Sequence, residues 1–163
     1  MRNYPLFILS IVFCLAQPVF LQAFQMFWVK PDLIILAVVI ASIYLDFGWA
    51  MSVAILGGIT KDVLGLNYFG MNILVLPFYC YSIKEISRKI SLDNDFINMG
   101  ILGAVIIVNT LLLRLFFMLN NVTIELGIFL RTFALEFLFT VLSFFLILQV
   151  MNYLNSSLRR TIR

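Results

Sequence analysis

Followed for its hydrophobic and polar positions, the chain is six apolar runs separated by short polar breaks. The runs extend from about Tyr4 to Phe24, Leu33 to Leu45, Gly48 to Leu64, Gly70 to Ile83, Phe96 to Leu119 and Leu126 to Leu154. Stretches such as GILGAVIIVNTLLLRLFFML, residues 100–119, lack the in/out alternation of barrel strands, so each run predicts a helix. The second run and the fourth are short. About 13–15 residues reach roughly 20–23 Å at 1.5 Å per residue, against a hydrocarbon core of about 30 Å. The fourth also carries Pro77. Such segments line a cavity or sit behind longer neighbours. The other reading is that the bilayer thins around them or aromatic flanks extend them. The pattern leaves both open.

Composition decides the solvent. Of 163 residues, 63% are hydrophobic and 12% charged, and the mean hydropathy is +1.08. Soluble domains carry about 25% charged residues. The expectation is an all-α, polytopic membrane helical bundle of about six transmembrane helices. The longest polar stretch, residues 84–95, is too short for a soluble domain, so residues 1–163 read as a single integral membrane domain. Arg2 and the following YPLFILSIVFCLA resemble a signal peptide, but the bulky FLQAFQ is a poor cleavage region. Phe13 before Cys14 likewise argues against a lipoprotein, and the first run is expected to be a retained helix.

The net charge of +3 matters through its distribution. With six spans, seven basic residues fall on one side: Arg2, Lys84, Arg88, Lys89, Arg159, Arg160 and Arg163. Lys30, and Lys61 near the end of its helix, fall on the other. The positive-inside rule then puts both termini and the KEISRKISLDND segment in the cytoplasm. The loops at Lys30-Pro31-Asp32, Asn67 and Asn120-Asn121 are expected outside. Lys84, Arg88 and Lys89, at i, i+4 and i+5 with Glu85 between, can continue helix four as an amphipathic extension touching anionic membrane lipids, with contact to a cytoplasmic filament as the other reading, and no nucleic-acid partner is expected.

Candidate chemistry is sparse. There is no histidine, which removes the commonest general base and metal ligand. Cys14 and Cys80 lie inside apolar runs and form no metal-binding spacing. Asp32, Asp62 and Glu136 are scattered, with no visible nucleophile, so no catalytic residue, cofactor or metal is expected and the chain reads as non-enzymatic.

The stretch GGITKDVLGLNYFG, Gly57 to Gly70, is the exception to an otherwise apolar interior. Ala50, Ala54 and Gly58 recur every four residues, a small-residue stripe that lets helices approach closely. Four further on stands Asp62, on nearly the same face, whose carboxylate needs a partner: a loop N–H, Asn67 or a basic residue of another helix. Lys61 follows Gly57, faces elsewhere and is expected to reach headgroups. Arg114 and Arg131 lie near the outer ends of helices five and six. An Arg114–Glu136 or an Arg131–Asp62 pair is possible, as is simple snorkelling. Glu136, about 15 Å into the sixth helix, is expected to be paired or protonated. Asp32 stands at a helix start, where a carboxylate complements the dipole, and Asp46 with Gly48 marks a tight turn.

The segment KPDLIILAVVIASIYLDFG, followed by GGITKDVLGLNYFGMNIL, resembles the rod shape-determining protein MreD family. The positions that carry the resemblance are Pro31, Gly58, Asp62, Gly65 and Gly70, within residues 30–75; the remainder is similar in hydropathy. With Ala54, Glu136, Arg114 and Arg131, these are the candidate structural or partner-binding residues. The resemblance implies an inner-membrane component of the bacterial elongation machinery that helps set cell shape. Its implied partners are MreC, RodA, a class B penicillin-binding protein and MreB, around lateral peptidoglycan synthesis. It also implies a fold similar to the substrate-binding subunits of energy-coupling transporters. An alternative is a small-molecule-binding subunit of such a transporter, which would show converging polar side chains between helices.

Overall fold

The most apolar run of the chain forms its innermost helix. In the computed structural model, which describes residues 4–23, 32–64, 70–89, 95–119 and 125–161, that helix is α2, Leu33–Tyr44. Ten successive residues, Leu33 to Ser42, are buried, so every face of α2 meets protein. A helix that is apolar all round has no solvent face to offer and belongs in a core. At 12 residues it is about 18 Å long, too short to span a bilayer alone. The expectation that a short helix sits behind longer neighbours holds for α2.

The neighbours are α1, Tyr4–Ala23, α3, Phe47–Leu64, α4, Met71–Lys89, α5, Asp95–Leu119, and α6, Leu126–Thr161. All five pack against α2. The described elements are all helical, and their starts agree with the hydrophobic pattern within a residue. Two ends do not. The fourth helix does not stop at Ile83 but runs through Lys84, Arg88 and Lys89, so it has 19 residues and is not short. It also continues through Pro77, although proline removes one backbone donor. The sixth helix continues past Leu154 to Thr161. The α4 extension is the amphipathic continuation that its basic spacing allows, and the α6 extension makes helix of a segment read as tail. Pro31, Gly65, Lys30, Asn67, Asn120 and Asn121 lie outside the described residues.

Among the described residues three segments are long and apolar enough to cross a membrane: Phe47–Leu64, Phe96–Leu119 and Gly127–Ile147. Their outward faces are apolar too. Val63, Leu111, Leu115, Ile128 and Leu142 are exposed on them, as are Leu74 and Phe78 on α4. A water-soluble monomer rarely shows so continuous an apolar surface, whereas lipid covers it without cost.

Candidate functional site

Two neighbouring glycines let α3 touch two different helices. Adjacent residues on a helix point about 100° apart, and a step of four nearly restores the direction. A Cβ on Gly57 would meet Ile34 Cγ2 at 3.0 Å, on α2, and Cys14 Sγ at 3.6 Å, on α1. A Cβ on Gly58 would meet Ile73 Cα at 2.7 Å and the Asn72 carbonyl oxygen at 2.8 Å, both backbone atoms of α4. With Ala50 and Ala54 fully buried on the same face, α3 and α4 meet backbone to backbone. No side chain larger than hydrogen fits at position 58.

One turn later the charged pair repeats this division. Lys61 follows the Gly57 direction to α2, and Asp62 follows the Gly58 direction to α4. Asp62 is 2% exposed. Its Oδ2 accepts from the backbone N–H groups of Gly70 and Ile73, each at 3.0 Å. Its Oδ1 accepts from the Asn72 N–H at 3.0 Å and from Asn72 Nδ2 at 2.7 Å. These backbone donors are ones that the first turn of α4 would leave without intrahelical acceptors. The carboxylate also faces the positive end of the α4 dipole. A residue of α3 therefore caps α4. Gly70, at φ +108°, supplies the left-handed backbone that leads into the helix. Of the partners open to Asp62 on sequence, backbone N–H groups are ones it takes among the described residues, and Asn67 lies outside them.

The expectation for Lys61 is corrected. Its ammonium does not extend to headgroups but forms an ion pair with Asp32 Oδ2. The two side chains are 19% and 8% exposed. Asp32 is the N-cap of α2, its Oδ1 accepting from Ile35 N–H at 3.0 Å. Its own N–H donates to Thr140 Oγ1 of α6 at 3.2 Å, and that hydroxyl donates to the Glu136 carbonyl at 2.7 Å. The next amide, Leu33 N–H, donates to Gln17 Oε1 of α1 at 2.9 Å. The start of α2 thus ties together α1, α3 and α6.

The remaining candidates fall outside these two clasps. Neither the Arg114–Glu136 nor the Arg131–Asp62 pair forms among the described residues. Arg114 lies over the Phe129 ring, 4.7 Å from its centroid, and Arg131 is exposed. Phe129 follows Leu126 by less than a turn, so the ring takes the place the carboxylate was expected to fill. Glu136 is half-buried, one turn before Thr140, within electrostatic reach of Asp32 and Lys61. At the other end of α2, Lys84 Nζ donates to the Leu45 carbonyl. Among the described residues no group of three His, Cys, Asp or Glu is placed to hold a metal ion.

Asp32, Gln17, Asn72 and Thr140 emerge here as structural partners. One signal was available: an aspartate directly before an apolar run is an N-cap pattern. The four-residue step from Gly57 to Lys61 also aims the lysine at the same neighbour. The pairing itself joins residues 29 apart and depends on how α2 is buried.

Compared with known proteins, the family model of the rod shape-determining protein MreD matches residues 3–159. No curated protein and no solved structure matches the chain.

Proposed function

The chain belongs to the MreD family of rod shape-determining membrane proteins, and on that premise we propose that it is a non-enzymatic inner-membrane component of the bacterial elongation machinery. In this reading it scaffolds MreC and, with RodA, a class B penicillin-binding protein and MreB, helps direct lateral peptidoglycan synthesis. The observation that carries the proposal is the family match across residues 3–159 of 163. The geometry supports the non-enzymatic part. Asp32, Lys61 and Asp62 are engaged in holding helix ends and present no nucleophile with an adjacent base.

The proposal includes one integral domain of six spans with both termini cytoplasmic, on the strength of the seven basic residues assigned to one side. It also includes a fold like that of energy-coupling transporter substrate-binding subunits, which the short, enclosed α2 favours. Gly58, Ala54, Asp62, Gly65, Gly70 and Pro31 are proposed to shape the outer end of the bundle where MreC docks, with Glu136, Arg114 and Arg131 beside it.

The test is complementation of an MreD-depleted rod-shaped strain, combined with purification of the tagged chain in mild detergent. Restored rod shape with MreC co-purifying is expected. Rod shape restored while MreC stays behind would remove the scaffold reading and leave family membership intact. Reporters fused to the C-terminus and to the Asn120-Asn121 loop test topology, and a periplasmic C-terminus would replace six spans with five.

A further inference from the structure

Helices α4 and α5 both pack on α2 but share no extensive contact with each other. Between them lies a groove of about 280 Å³. Tyr79, Ile83 and Ile86 of α4 face Ile97, Ile101 and Ala104 of α5 across it. Gly100 opens the α5 wall, since a Cβ there would have nothing within 4 Å. Gly100 and Ala104 are the spacing that elsewhere brings helices together, yet here the space stays open.

The lining and the charge beside it select the occupant. The lining residues 97–105 cover roughly 12 Å of α5. The groove is lined almost wholly by apolar atoms and lies between helices whose outer faces are apolar, the setting of a hydrocarbon chain. The α4 stripe that lines the groove, positions 79, 82, 83 and 86, continues by helical spacing to Lys89, which is exposed. Arg88 stands beside it, exposed and paired with Glu85. A cation therefore stands where an apolar channel reaches the end of α4.

We propose that this groove holds one acyl chain of an anionic phospholipid, with Lys89 against the headgroup phosphate. Neither the family match nor the clasps at the other end of the bundle bears on it. The test is native mass spectrometry of the full chain in detergent with equal amounts of phosphatidylglycerol and phosphatidylcholine. The wild type is expected to keep one phosphatidylglycerol with about fivefold preference, the effect of about one lysine near a membrane surface. Lys89→Gln is expected to abolish the preference and leave one lipid bound. Gly100→Leu fills the groove and should lower lipid retention about tenfold with an unchanged thermal midpoint. Ala104→Leu, on the same wall and exposed, repeats the test should the first variant misfold. Equal retention of the two lipids by the wild type overturns the proposal. So does retention untouched by either leucine, which would mean annular lipid only. A lipid-free dimer would assign the groove to a second copy and overturn it equally.

Discussion

The α3–α4 seam and the α5–α6 hairpin are neighbouring helix pairs held by opposite means. In the seam, glycine and alanine bring backbones into contact and a buried carboxylate of one helix caps the other. In the hairpin, the contacts are made by large side chains. Gly103 faces the Phe137 ring, whose nearest atoms would lie 3.5 Å from an added Cβ. Phe133 and Phe137 sit 6.0 Å apart, and Arg114 covers Phe129. The seam has a single spacing, because backbone atoms cannot turn aside. The hairpin is less tightly set, because rings and guanidinium groups can turn. A seam of the first kind specifies a geometry, and a hairpin of the second adapts to the lipid around it.

The sharpest way to break the contrast is Gly58→Leu. Even the Cβ would approach Ile73 Cα to 2.7 Å, and the rest of the side chain has nowhere to turn. Overpacking costs about 1–3 kcal/mol where side chains can yield, and here they cannot. A loss of at least about 3 kcal/mol is expected, read as a collapsed yield of folded protein in detergent. A variant as stable as the wild type would show that the seam opens freely.

Next in size is Asp62→Asn. The amide keeps one accepting oxygen and turns an NH₂ group toward N–H donors that Asp62 now satisfies with both oxygens. Two charge-assisted bonds are lost, at about 1.5–3 kcal/mol each before relaxation, so a net loss of about 3 kcal/mol is expected. The thermal midpoint should fall and α4 amides near residue 73 should exchange hydrogen faster. A drop in stability without faster exchange there would detach Asp62 from its capping role.

Lys61→Gln follows. It leaves the Asp32 carboxylate charged and partly buried, though Ile35 N–H still binds it. Breaking a fully buried pair costs about 3–5 kcal/mol. With the lysine partly exposed, about 2 kcal/mol is expected, relieved in the double variant Lys61→Gln/Asp32→Asn because no unpaired charge remains. Strictly additive losses would mean the two side chains do not act as a pair.

The two pairs also differ in how far the chain discloses them. The seam is largely legible. Ala50, Ala54, Gly58 and Asp62 lie four apart, and a periodicity of that kind survives any tertiary arrangement. The central burial of α2 follows from its unbroken apolar run and its length. The Lys61–Asp32 pair is not legible in the same way. Local reasoning sends a lysine near a helix end toward water or headgroups, and only the burial of the α2 start beside it makes an ion pair the better outcome. The Arg114–Phe129 contact is hidden for a related reason. Charge suggested a carboxylate partner, while the packing of α6 against α5 brings a ring closer. The end of α4 is partly legible: Lys84, Arg88 and Lys89 carry the charge of a loop, yet their spacing, and the helical face of Tyr79, Ile83 and Ile86 before them, allow the helix to continue.

The smallest expected effect completes the contrast from the hairpin side. Gly103 is buried on α5 and looks like a second Gly58, a glycine at a helix crossing. Its surroundings differ. An added Cβ would touch only the Phe137 ring, at 3.5 Å, an ordinary van der Waals contact with a side chain that can shift. Alanine is favoured over glycine inside a helix by up to about 1 kcal/mol, mostly through the entropy of the unfolded chain. Gly103→Ala should therefore leave stability unchanged or raise it by up to about 1 kcal/mol. Gly58→Ala, with the same gain in propensity, should still lose stability because its obstacle is backbone. The paired measurement is the thermal midpoint of both alanine variants in the same detergent. Opposite signs are expected. Equal losses would mean that the hairpin is as tightly specified as the seam, and the division between a fixed pair and an adaptable one would fail.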